Sequence, residues 1–184
     1  MSPAVREIDA SIEKSKSLPF MRLLESQDDR GAAIYGAAVI EERLAEEIQR
    51  SWAPMQKPIA DRLFNGSGPL ASFAARIDVA YAMHLISNST RQDAHTIRRI
   101  AERARQVALP FSFGADEVRR LADELVIPKH VAGDERPNVA RERNLFTTAV
   151  RVAAMSIQLH RVLRGKFGEE VKPFDAVTAA ARPA

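Results

Sequence analysis

Arg76 and Asp78 lie two residues apart inside an otherwise apolar stretch, Leu70 to Ile86, so their chemistry comes first. On a helix that separation turns the two side chains about 200° apart, and they cannot pair with each other. A charge in such surroundings needs a partner. Glu41 and Glu42 are the expected structural partners of Arg76, reached across a helix contact thinned by glycine. The other chemistry open to Arg76 is to anchor an acidic ligand in a pocket. The four histidines, His84, His95, His130 and His160, fall on different segments with no ligand spacing, so no metal is expected. No nucleophile elbow, Walker loop or dinucleotide fingerprint occurs. The expectation is a protein with no catalytic residue and no cofactor, not an enzyme.

Two features point toward anions. Arg91, His95, Arg98 and Arg105 share one helix face, with Arg99 and Arg103 beside it, and together they form the best candidate patch for an anionic partner. Asp93 and Glu102 interrupt the patch, no aromatic residues interleave, and no base-reading Asn or Gln opens the helix. A solvated helix face is therefore the expected reading, with weak nucleic-acid contact as the functional one. The turn Gly66-Ser67-Gly68, read as lying just before a helix, is a candidate for presenting N–H groups to an anion, though such turns more often serve as plain caps.

The elements that position these residues are all helical by their spacing. After a short helix over residues 3 to 17, the break at Leu18-Pro19 leads to a second around Phe20 and Leu24. Asp28 and Asp29 offer N-caps to a long helix from Arg30 to Trp52, with Ile34, Ala37, Ile40, Leu44 and Ile48 inward. Its first half, with Gly31, Gly36 and several alanines, is thin enough for another helix axis to approach. Ile59 to Phe64 makes one more turn. A central buried helix is then predicted over about residues 69–87, because Pro69 suits the first helical position and two apolar stripes follow. One stripe runs Leu70, Phe73, Ile77, Ala80, Tyr81 and Leu85; the other holds Val79, Met83 and Ile86. Thr90 and Asp93 fit a loose capping box for the next helix, which runs to Val107. Phe111 and Phe113 are expected to tuck onto the core, and Ala115 to Val126 forms a short helix. An exposed connection over 128–137 precedes a last long helix, Asn138 to Leu163, stopped by Gly165 and Gly168. The fold class is thus all-α, a single-domain helical bundle. An N-terminal arm covers 1–28, the bundle core 29–165 and a C-terminal tail 166–184.

Composition agrees with one globular domain. The 184 residues are 46% hydrophobic and 28% charged, which excludes wholesale disorder. With no cysteine there is no disulfide, thiolate nucleophile or Cys-ligated zinc, and the chain suits a reducing cytoplasm. The first residues lack the apolar core of a signal peptide, and the longest apolar stretch, Gly31 to Ile40, is too short to span a bilayer. The net charge of +3 is uneven: residues 1–90 hold 10 Lys+Arg against 12 Asp+Glu, and residues 91–184 hold 17 against 12. The cationic second half faces either an anionic partner or the acidic first half.

Three blocks carry a resemblance. The first runs Asp29-Arg30-Gly31 through Glu41-Glu42-Arg43-Leu44. The second runs Leu63-Phe64 through Gly68-Pro69-Leu70, Phe73, Arg76-Ile77 and Ala80-Tyr81 to Leu85-Ile86. The third is Ile97-Arg98-Arg99-Ile100 with Pro110-Phe111-Ser112-Phe113. Together they resemble the mannitol operon repressor family of bacterial regulators. The resemblance implies an all-helical cytoplasmic protein, a homodimer, tied to repression of a sugar-alcohol operon through a protein partner or weak DNA contact. The chain departs from the family after Ile100, where Ala101 to Gln106 carries neither the Asn nor the His that many members have there. The family pattern is also similar to HEPN-type helical domains, some of which cut RNA with a spaced Arg–His pair. Arg91 and His95 come closest, with three residues between, so the alternative expectation is a catalytically inactive HEPN-like binding or antitoxin-type module.

Overall fold

The computed structural model of the protein describes residues 19–108, 110–131, 139–168 and 171–180. Every regular element among them is helical: α1 Pro19–Ser26, α2 Asp29–Arg50, α3 Lys57–Phe64, α4 Phe73–Ala82, α5 Asn88–Gln106, α6 Asp116–Asp123, a 3-10 turn Ile127–Lys129, α7 Arg141–Phe167 and α8 Ala176–Ala180. The helix predicted over 3 to 17 lies outside the described residues, as does most of the 128–137 connection.

The helix at the centre is α7. From Phe146 to Ile157 every residue except Met155 is buried, so this stretch has no solvent face at all. It is surrounded by α2, α5, α6 and the 3-10 turn, with α1 at the side. The helix predicted over 69–87 is a correction. It contracts to the ten residues of α4, with Ser72 rather than Pro69 at its start, accepting from Ala75 N at 3.2 Å. Only Phe73, Ile77 and Ala80 of α4 are buried, one face against α2 and α5, while Asp78, Tyr81 and Ala82 are exposed. Both stripes are cut short because Leu70 precedes the helix and Met83, Leu85 and Ile86 follow it. His84 turns the connection to α5 at φ 55, a left-handed conformation uncommon for a residue with a Cβ.

Capping follows local chemistry. Asp28 accepts from Gly31 N at 2.7 Å and starts α2. For α5 the cap is Ser87, accepting from Thr90 N at 3.2 Å, so the capping box assigned to Thr90 and Asp93 does not form. The thin half of α2 meets α7: a Cβ on Gly36 would sit 2.8 Å from Phe146 Cε1 and 3.0 Å from Val150 Cγ2. Phe146 also packs against Phe113, with ring centroids 5.1 Å apart, which draws the 110–114 loop onto the core as its two Phe residues require.

Two boundaries move. Met21 and Leu24 of α1 are buried in the main core, so residues 19–26 belong to the bundle and not to a separate arm. Residues 171–180 are likewise packed: Ala176 is buried against Ile127 and Val152, and His160 Nε2 lies 3.0 Å from Val171 O. The small-residue face of α2 and the middle of the long last helix, apolar surfaces that could have met a second copy, are covered within the chain. The homodimer therefore rests on the resemblance alone. No described helix is long and apolar enough to cross a membrane.

The α2–α7 contact gives a paired test. Gly36→Val drives a branched side chain into a buried ring and should cost at least about 2 kcal/mol. Gly165→Ala on the exposed part of α7, where a Cβ meets nothing within 4 Å, should gain about 0.5–1 kcal/mol. Chemical denaturation of both variants checks the pair.

Candidate functional site

Arg76 leaves α4 and holds three acceptors at once. Its Nε donates to Leu70 O at 2.7 Å, its Nη2 to Phe64 O at 2.8 Å and its Nη1 to Glu41 Oε1 at 3.2 Å. The guanidinium also lies 5.7 Å from the centroid of the Phe64 ring. The planar fork thus joins the end of α3, the turn after it and α2, which a point charge cannot do. Glu41 is the partner; Glu42 is exposed and makes no ion pair or hydrogen bond among the described residues. The pair is not fully buried, with side-chain exposures of 13% for Arg76 and 28% for Glu41. It also sits away from the glycine-thinned contact, since Gly36 faces α7. An open groove of about 440 Å³ runs beside it, with Ala38, Ala45 and Ala60 in its wall.

The turn at Gly66, Ser67 and Gly68 is backbone-critical, and part of its donor capacity is used within the chain. Gly68 N donates to Asn65 O at 3.0 Å and Leu70 N to Leu63 O at 2.9 Å, so these donors are spent inside the turn. A Cβ on Gly68 would lie 2.3 Å from Arg62 O and 2.4 Å from Leu63 O, which only glycine avoids. With α4 starting at Phe73, the turn also lacks the helix N-terminus that would aim donors outward.

On α5 the basic residues are brought together as a face, but each of the first five already has an acidic contact. Arg91 Nε and His95 Nε2 both reach Asp78 Oδ1, at 3.2 and 3.1 Å. Arg98 pairs with Glu102 at 2.6 Å, Arg99 with Glu124, and Arg103 with Glu117 at 2.6 Å. Arg105 is exposed and makes no ion pair or hydrogen bond among the described residues. Partial desolvation acts to raise the Asp78 carboxyl, but the hydrogen bonds from His95 and Arg91 outweigh it and hold the pKa below the usual range. The face is therefore charge-compensated by its own chain.

The residue that spacing misjudged most is Asp93. It is fully buried and accepts from Val126 N at 2.7 Å and Ile127 N at 3.1 Å, capping the 3-10 turn thirty-odd residues away. Burial raises its pKa from an ordinary 3.8 to about 6, although both backbone donors and Lys129 act to lower it. Asp29 was read only as a cap, yet it accepts from Arg143 Nη1 at 2.8 Å and Phe113 N at 3.0 Å, joining α2, α7 and the Phe loop. The histidines stay dispersed: His84 and His130 are exposed, and His160 is buried with its pKa lowered chiefly by burial. Among the described residues no group of three or more His, Asp or Glu could hold a metal ion.

Comparison with known proteins follows the architecture. No family model matches the chain, and no curated protein matches it. Solved structures do. The fold is a known one. A chain of the MtlR–HPr complex from Escherichia coli superposes with a TM-score of 0.53 at 17% identity, covering 86% of this chain and 99% of that one. YggD from Shigella flexneri 2a str. 2457T, described as a possible transcriptional regulator, gives 0.53 at 13% identity, covering 77% and 93%. At such identities the likeness establishes the fold and leaves function to the site.

Two stability outcomes follow. Arg76→Leu strips donors from two carbonyls and a carboxylate, and should cost about 3 kcal/mol. Arg76→Lys should recover only part of that, because one ammonium cannot span the fork. An unchanged melting temperature in Arg76→Leu would contradict the clamp. Asp93 gives a pH signature. Its folded state holds the proton more tightly than the unfolded chain does, so its contribution is greatest below about pH 4 and is lost as pH rises through about 6. The stability difference between the protein and Asp93→Asn should shrink by roughly 2 kcal/mol from pH 4 to pH 7. Denaturant titrations at both pH values measure it, and a flat difference would contradict it.

Proposed function

We propose that this chain is a transcriptional regulator that acts by holding a protein partner, not by reading DNA sequence. The observation that carries the proposal is the compensated face of α5. The best cationic patch in the sequence spends Arg91, Arg98, Arg99 and Arg103 on carboxylates of the same chain. A phosphate backbone would have to displace those carboxylates, and the counterion release that drives nucleic-acid binding would be correspondingly small. The fold supports a regulator role in that a similarly folded chain occurs in the MtlR–HPr complex and another is described as a possible transcriptional regulator. An HPr-type protein is accordingly the first partner to test. A sugar-alcohol operon as the target, and the cytoplasm as the setting, rest on the sequence resemblance.

The second reading, an inactive HEPN-like module, is favoured by one contact. Arg91 and His95, the pair nearest to a nuclease arrangement, both turn to Asp78. In that reading the chain is again a binding protein and not an enzyme, with a toxin-like protein as its partner.

Competition titration at near-physiological salt, using the upstream region of its own operon against unrelated DNA, separates these modes. A preference near one is expected. A preference above roughly a thousandfold, the low end for specific binders, would overturn the proposal and make the chain a direct repressor. Calorimetric titration with the HPr of the same cell should show saturable binding. Its absence alongside binding to a neighbouring toxin-like protein would favour the second reading.

A further inference from the structure

α1, α2 and α7 leave a cavity of about 330 Å³ between them, at the lower end of the size range of small-molecule sites. One wall is apolar: the Phe20 and Tyr35 rings, with Val39 and Ile157. The other is charged, and most of its charges are already matched. Glu46 faces Arg50 at 3.4 Å, and Glu47 faces Arg50 and Arg161, each at 3.6 Å.

Two opposite charges on the cavity wall remain. Arg43 is half-buried beneath Phe20, its guanidinium 5.0 Å from the ring centroid. Its Nη1 donates to Ala154 O at 3.3 Å and Gln158 Oε1 at 3.2 Å, and among the described residues these are its only hydrogen bonds and no carboxylate lies within ion-pair distance. Burial and then the nearby charge of Arg161 lower its pKa, outweighing the fields of Glu46, Glu42 and Glu47 that act to raise it. Beside it, Glu42 is exposed, acts on Arg43 only through its field, and makes no ion pair or hydrogen bond among the described residues. The molecule's other well-placed guanidinium groups, at Arg76, Arg98 and Arg143, each meet a carboxylate.

We infer that this cavity binds a free α-amino acid with an apolar or aromatic side chain, its carboxylate on Arg43, its ammonium on Glu42 and its side chain against Phe20 and Ile157. A simple anion would meet the field of three glutamates, and a simple cation the field of two arginines. A dipolar ligand satisfies both at once, and the remaining N–H groups of Arg43 suit the two oxygens of a carboxylate. An uncharged apolar ligand would leave both charges unmatched. This inference concerns a different part of the surface from α5 and does not depend on the regulator reading.

The test is calorimetry on the full chain with L-leucine and L-phenylalanine, their N-acetyl derivatives and their methyl esters. One or both parent amino acids should bind, and removing either ligand charge should weaken binding about tenfold or more. Glu42→Gln changes an exposed residue and leaves folding intact; it should weaken the parent amino acid but not its N-acetyl derivative. Arg43→Gln, checked for native helix content, should abolish binding of both. An N-acetyl derivative binding as tightly as its parent would overturn the dipolar site. So would the absence of binding by both amino acids at millimolar concentration.

Discussion

The fold depends on one constraint: α7 has no solvent-exposed face along its middle and must be enclosed. A helix buried on every side cannot be stable until each side has a neighbour, and α2, α5, α6 and the 3-10 turn are those neighbours. The closest approach is bought by Gly36, which lets the Phe146 ring rest against the axis of α2. Once Phe146 is placed there, Phe113 stacks on it and Asp29 receives both Phe113 N and Arg143, so one loop and two helices are fixed together. α4 then lies over α2 and α5, and Arg76 secures its approach from the outer side.

The second theme is what becomes of an arginine-rich composition. The cationic half of the chain meets carboxylates from both halves: Arg91 finds Asp78 and Arg161 finds Glu47, while Arg98, Arg99 and Arg103 find Glu102, Glu124 and Glu117. Most of these pairs are partly exposed and add little stability individually. Their larger effect is on recognition. A surface whose charges are matched within the chain steers neither a phosphate backbone nor a strongly acidic partner, and it leaves shape and isolated unmatched groups to carry selectivity.

Much of the helical order was legible because it depends on local chemistry. Asp28 caps α2 as its side chain predicts, and Phe111 and Phe113 turn inward because they are apolar. The central helix was misplaced for a physical reason. Gly68 serves a close backbone approach and not a helix start, so Pro69 belongs to a turn. In α7, threonines and Arg151 lie among the apolar residues and disguise a segment that is buried all round. Charges declared their sign but not their partner. Asp93 looked like an interruption in a basic face, yet its two acceptor oxygens meet backbone groups that no spacing rule connects to it. The cavity beside Arg43 is invisible in the sequence for the same reason, since Phe20, Arg43 and Ile157 meet only through packing.

The position of α7 in the chain has a consequence for biogenesis. The helix on which the others pack is the last long one to leave the ribosome, after α1 through α6 have already been made. Until it emerges, the sides of α2 and α5 that pack on it, Gly36 of α2 among them, stand uncovered, and the nascent chain carries open apolar surface. The interval between α5 and α7 is the period in which the chain is most open to aggregation or to capture by a chaperone.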